Sequence, residues 1–290
     1  MPEREWKLAR RTLLYDERTL VMGVLNATPD SFSDGGQFLA LDQAMRRAEE
    51  MIAEGADILD VGGESTRPGA RTVNAEEEMR RVVPLIDRLA QTIEIPISVD
   101  TTKVAVARAA LDAGAEIVND ISGLRFEPAI ADVAAERDAG LLLMHSRGSL
   151  ATMHRLEPIA NVMTEVANGL RRSLDEAMRR GVGRERIALD PGIGFGKSHT
   201  QNLELIARLD ELVREFAGYP VLVGTSRKSF IGRLLGDVPV SERLHGTMAS
   251  VAAAILRGAN IARVHDVRAA VETARVADAI RHAATSSQPS

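Results

Sequence analysis

The chain has 290 residues, 45% of them hydrophobic and only 3% aromatic, with a formal charge of −5 and no cysteine. That is core enough to fold without staples, and it excludes disulfides, thiolate metal sites and a cysteine nucleophile. Mild acidity with scattered arginines argues against nucleic-acid binding, and no apolar run approaches membrane-spanning length.

In chain order, residues 1–18 ("MPEREWKLARRTLLYDER") are charged and lack the apolar centre of a signal peptide. They read as a short N-terminal extension of a cytoplasmic protein. From residue 20, short apolar runs alternate with helical patterns. The runs are "LVMGVL" (20–25), "DILDV" (57–61), "IPISV" (95–99), "EIVN" (116–119), "LLLM" (141–144), "IALD" (187–190), "VLVG" (221–224) and "IARV" (261–264). They are too short and too continuously apolar for amphipathic helices, and they fit strands of a parallel sheet buried on both faces. Between the first two, Leu41, Ala44, Met45, Ala48, Met51 and Ile52 share one helical face. Asn74 with Glu77 predicts a capping box for the next helix, and Pro84 predicts a kink inside it. Gly55, Gly114 and Gly258, with Gly140 as a reduced copy, each follow a helical pattern and precede a strand, as left-handed helix ends do. Eight such units predict an α/β protein with a single (β/α)8 barrel of the TIM type over 19–283. A doubly wound open sheet is the alternative, and 284–290 reads as a loose tail.

A β/α barrel does its chemistry where the strands run out. The residues falling there are Asn26, 64–67, Asp100, Asn119 with Asp120, His145, Asp190, 226–228, and Arg263 with His265. Singly, each has a structural reading; Asp100 can cap the next helix and Asp190 can make a turn before Pro191. Arg263 and His265, two apart on one strand, point the same way. With Asn26, Thr66 and Ser226 they make an anion pocket suited to phosphate. Asp100, Asn119, Asp190 and Lys228 form a second set, able to read the amidine-like edge of a flat heterocycle through charge-assisted hydrogen bonds. "GIGFGK" (192–197) lacks the spacing of a dinucleotide fingerprint, and "GTSRKS" (224–229) is not a phosphate-binding P-loop. The six histidines show no zinc spacing, so the expected metal is Mg²⁺, held partly by substrate phosphates and a neutral oxygen such as that of Asn26.

Together, "MGVLNATPDSFSDGG", "DILDVGGESTRPGA", "ISVDTTK", "IVNDISG", "LDPGIGFGK", "GTSRKSFIG" and "RVHDV" resemble the bacterial dihydropteroate synthases, from about residue 19 to 280. The resemblance implies a (β/α)8 barrel that joins 6-hydroxymethyl-7,8-dihydropterin diphosphate to 4-aminobenzoate in folate synthesis. It is a family targeted by sulfonamides. It assigns Asp100, Asn119, Asp190 and Lys228 to the pterin. Asn26, Thr66, Arg263 and His265 go to the diphosphate, with Asn26 also at Mg²⁺. Phe32, Arg67, Pro68, Phe195 and Ser229 go to the aminobenzoate. Asp34, Lys228, Arg263 and His265 are the expected catalytic groups. Where the family has Gly-x-Pro leading to Met-Gln, this chain has "SRGSLATMH" (146–154), a difference expected to alter local loop shape. The loops at 27–36 and 65–73 are expected to act as lids, and late helices around "GTMASVAAAILRGA" (246–259) to form a homodimer. A pterin module serving a corrinoid methyltransferase, or a pterin-binding paralogue without catalysis, are the alternative functions.

Overall fold

The structure, a computed structural model, describes residues 4–27, 36–65, 72–149, 152 and 156–286. The charged N-terminal stretch forms an antiparallel hairpin of β1 (Glu5–Lys7) and β2 (Thr12–Leu14). The eight predicted runs follow as β3 (Leu20–Asn26), β4 (Ile58–Gly62), β5 (Ile97–Asp100), β6 (Ile117–Asp120), β7 (Gly140–Met144), β8 (Ile187–Asp190), β9 (Leu222–Val223) and β10 (Ile261–Val264). They pair in the order β8-β7-β6-β5-β4-β3-β10-β9, every neighbouring pair parallel. A parallel bridge between Leu189 and Val221 joins the two edges and closes the barrel.

The helices ring it: α1 (Gly36–Ala53), α2 (Ala75–Thr92), α3 (Val104–Asp112), α4 (Ile130–Glu136), α5 (Val162–Arg179), α6 (His199–Ala207), α7 (Leu209–Glu215), α8 (Ser229–Leu234), α9 (Leu244–Leu256) and α10 (Val267–Ser286). Outward strand residues such as Leu59, Val61, Val99, Leu141 and Leu143 pack with helix residues such as Met51, Val82, Ile86 and Val166 in one apolar shell. The inside of the barrel is a separate core of Leu20, Met22, Ile58, Ile117, Leu142, Ala188, Leu222 and Ile261. Trp6, Leu8 and Tyr15 of the N-terminal segment belong to that same core. The Trp6 indole donates to the Arg186 carbonyl at 2.9 Å, and Arg11 pairs with buried Glu116 at 2.9 Å. Arg186 and Glu116 sit just before β8 and β6, so the extension is a plug in the N-terminal end of the barrel.

Local details depart from expectation. Gly55, Gly114 and Gly258 are left-handed as predicted, but at the reduced copy the left-handed residue is Asp138, and Gly140 opens the strand. There the plug sets the need for glycine: a Cβ on Gly140 would lie 2.6 Å from Leu8. Asn74 accepts from the Glu77 N–H at 2.8 Å, yet the Glu77 carboxylate turns to Arg81 at 3.0 Å, so half the predicted box forms. The complete box is Ser198 with Gln201, ahead of α6. The helix α2 runs through Pro84 as one element. A missing N–H there removes one helical hydrogen bond without ending the helix.

Candidate active site

Strand alternation puts Ile58, Ile117, Ala188 and Ile261 inside the barrel, and so also the residues two further on. Those are Asp60, Asn119, Asp190 and Arg263, joined on β5 by Asp100. Arg263 donates from Nε to Asp60 Oδ2 at 2.6 Å and from Nη2 to Asp100 Oδ2 at 2.7 Å. Asn119 Nδ2 donates to the same Asp60 oxygen at 3.0 Å. The predicted residues Asp100, Asn119 and Arg263 are thus one hydrogen-bonded row, with Asp60 as a fully buried member that inspection of the sequence missed. The signal for Asp60 was its place in "DILDV", two residues after inward-facing Ile58. Asp60 Oδ1 and neighbouring Ser98 Oγ are buried with no partner among the described residues.

Charge in this row is expensive. Burial pushes the Asp100 carboxyl up to about 7, against the pull of Arg263. Burial likewise raises Asp190, although Lys228 and the Gly192 N–H pull the other way. Gly192 N–H donates to Asp190 Oδ1 at 2.6 Å, so the predicted turn and the predicted site coexist in one side chain. Asp100 does not cap α3: the capping position is Lys103, with no side-chain cap bond. Burial lowers Lys228 to about 8, with Asp190 opposing. Its ammonium donates to the Ile193 carbonyl and stands 4.5 Å from the centre of the Phe195 ring. Burial opposes charge on Arg263 too, but Asp60 and Asp100 outweigh it and hold the guanidinium above its usual range. Arg263, expected at the diphosphate with His265, is therefore tied to the acidic row.

Asn26, Gly62, Asp100 and Asn119 follow one another in strand register, which places Asn26 on the same rim. His265 Nδ1 lies 2.9 Å from Ser226 Oγ, and that hydroxyl also accepts from the His265 N–H at 3.2 Å. The serine fixes the ring's orientation. Phe195 is half-buried and Ser229 exposed at the start of α8. Phe32, Asp34, Thr66, Arg67 and Pro68 lie outside the described residues, as does most of each expected lid. What is described at the second lid is its base. Glu64 accepts from the Val73 N–H at 2.9 Å and from Lys103 at 2.6 Å, and Lys103 also binds buried Glu78 at 2.5 Å.

Other strand ends are structural. Asp120 accepts from the N–H groups of Ser122 at 2.8 Å and Leu124 at 2.6 Å, building its own loop. His145 is buried, and burial takes it down to about 2, so the ring is neutral. Arg227 is left-handed and grips Asp266 with two hydrogen bonds. Among the described residues no three His, Asp or Glu side chains converge to hold a metal. A lone amide oxygen at Asn26 fits Mg²⁺ only if phosphate oxygens and water complete its shell, which is how Mg²⁺ is ordinarily carried.

The family model described as "Pterin binding enzyme" matches residues 22–265. The dihydropteroate synthase of Synechocystis is 50% identical over 266 residues, covering 92% of this chain and 91% of that one. The solved dihydropteroate synthase of Clostridium difficile, determined in the presence of pteroic acid, superposes with a TM-score of 0.86 at 47% identity, covering 92% of this chain and 98% of its own. That of Xanthomonas albilineans, solved with 4-aminobenzoic acid, gives 0.88 at 41% identity over 99% and 100%.

Proposed function

The chain belongs to the pterin binding enzymes, and from that membership we propose that it is a dihydropteroate-forming transferase. It condenses 6-hydroxymethyl-7,8-dihydropterin diphosphate with 4-aminobenzoate, releasing diphosphate, in folate synthesis. The observation that carries this reading is the row of Asp60, Asp100, Asn119 and Arg263 alongside Asp190 and Lys228 inside the barrel mouth. A pterin edge offers ring N–H and amino donors to carboxylates, and ring acceptors to an amide and an ammonium. Aspartates raised by burial gain most from such donors, because a ligand replaces the water that folding removed.

The bond that breaks joins the pterin methylene to a diphosphate oxygen, and its electron pair leaves with the diphosphate. The amine lone pair of aminobenzoate forms the new C–N bond, and the amine then loses a proton to water. The electron-rich pterin ring carries positive charge on the methylene, so no side chain has to act as a covalent nucleophile. His265, oriented by Ser226, serves the diphosphate with Asn26 and Thr66, stabilising charge as it develops. Arg263, one layer deeper, acts on the pterin side by holding Asp60 and Asp100 in place. Asn26 would hold Mg²⁺ with help from the substrate phosphates, and the ion would supply further charge neutralisation at the leaving group. Phe32, Arg67, Pro68, Phe195 and Ser229 line the aminobenzoate, with Asp34 orienting the amine or facing the cation. The protein works in the cytoplasm as a homodimer. Support for the dimer comes from Leu256 on α9 and from Val276 and Ile280, one turn apart on α10, which are 46%, 62% and 54% exposed.

Steady-state release of diphosphate, dependent on both substrates, tests the function. Tight pterin binding without release would favour a binding module instead.

A further inference from the structure

The sequence "GIGFGK" (192–197), which is no dinucleotide motif, is folded around a single lysine, whose amine burial lowers to about 7 while Asp190 favours its charged form. Lys197 Nζ lies 2.8 Å from the Gly192 carbonyl oxygen, 3.0 Å from that of Phe195 and 3.1 Å from that of His145. An ammonium has three protons, and each has one acceptor here. Two carbonyls belong to the turn after β8 and the third to the residue after β7, so the cation joins the ends of adjacent strands. The turn takes a path that side chains resist. Gly192 has φ 70°, and a Cβ there would fall 1.9 Å from the His145 oxygen. Gly194 has φ 85°, and its Cβ would lie 2.8 Å from Lys228 Cδ.

Three converging carbonyls repel one another, and without a donor all three lose their partners. The same turn presents the Ile193 carbonyl to Lys228 and the Phe195 ring over the Lys228 ammonium. Its Gly192 N–H holds Asp190. We infer that Lys197 is a positioning residue: its ammonium gathers the 192–195 turn and the end of β7, and so sets where Phe195 stands against Lys228. On the proposed reading of the reaction, that is where the aminobenzoate ring meets the pterin. An ammonium whose three protons are all committed to backbone does not reach a substrate, so the role is indirect.

Lys197→Met keeps the aliphatic stem and removes the donors. The aminobenzoate KM should rise by about tenfold or more, and by more than the KM for the pterin diphosphate, which feels the turn only through Asp190 and Lys228. In the ligand-free protein, amides 192–196 should lose protection from hydrogen exchange. In Lys197→Ala, added propylammonium should restore the aminobenzoate KM saturably, whereas tetramethylammonium, equally charged but without N–H groups, should not. Lys197→Arg keeps the charge and offers a second folded variant; its planar fork cannot converge on three acceptors, so it should show the same selective KM rise. Equal changes in both KM values, wild-type kinetics in the arginine variant, unchanged exchange at 192–196, or rescue by tetramethylammonium would each overturn the assignment. Unmodified enzyme assayed alongside separates the two failures: if it releases no diphosphate, the functional reading falls, while the exchange result judges the turn without any substrate.

Discussion

Asp100 is a carboxyl that folding discourages from ionising and that the proposed pterin contact needs ionised. Burial raises it to about 7, and burial lowers Lys228 to about 8. Ionised Asp100 prevails above the first value and charged Lys228 below the second. Pterin affinity of the free enzyme should therefore be bell-shaped in pH, highest between the two. It should fall on the acid side as Asp100 gains its proton and on the alkaline side as Lys228 loses one. Calorimetric titration with pterin across this range checks it, and pH-independent binding would sink it. Substitutions separate the groups further. Asp190→Asn should weaken pterin binding at least about tenfold, the worth of one charge-assisted hydrogen bond. Arg263→Ala should weaken free pterin and pterin diphosphate alike, because it leaves Asp60 and Asp100 buried without their cation. His265→Ala should weaken only the diphosphate form. Measured dissociation constants for both ligands in both variants decide this; selective loss of the diphosphate form in Arg263→Ala would return that residue to the leaving group. The rim was readable because polar residues interrupt apolar runs at their ends. Asp60 was not, because it sits inside a run and only the alternation on the barrel's inner face exposes its role.

Among the elements, the strands were the most legible and the N-terminal hairpin the least. A continuous buried run such as "LLLM" has one reading, whereas "EREWKLARRTLLYDE" spreads its three anchors among charges, on or just after strands of three residues. Yet Trp6, Leu8 and Tyr15 are 0%, 4% and 2% exposed, and they complete the inner core. Trp6→Ala should cost roughly 3–5 kcal/mol, the usual loss for a large buried aromatic. A urea denaturation midpoint would register it. Because the plug occupies the end of the barrel away from Asp100 and Asp190, kcat/KM of the folded variant should stay at the wild-type value. A variant that keeps its midpoint would show the hairpin to be ornamental. The turn around Lys197 was equally hidden, since left-handed glycines and converging carbonyls are properties of backbone path and leave no periodicity.

At the scale of the whole molecule, closure of the sheet and the covering of its outer face followed from the eightfold alternation of runs and helical patterns. Assembly did not. The small-residue helix at 246–259 predicts an interface, but part of its small-residue character serves the chain itself, because a Cβ on Gly246 would lie 2.4 Å from Ile231. The exposed apolar residues of α9 and α10 are what a second copy would cover. Light scattering at micromolar concentration should give twice the 31.3 kDa chain mass, and Val276→Glu with Ile280→Glu should return it to one. A monomeric wild-type protein would reject the dimer. The stoppered barrel has one more consequence, for traffic. The packed inner core, capped by Trp6, leaves the row of Asp60, Asp100 and Asn119 reachable from the C-terminal ends of the strands alone, one doorway for arrivals and departures alike. Whatever reaches the Asp60 floor first must queue behind everything that enters after it. Pterin diphosphate should therefore load before aminobenzoate, and the pterin end of the product should be the last part to clear the doorway, after diphosphate has gone.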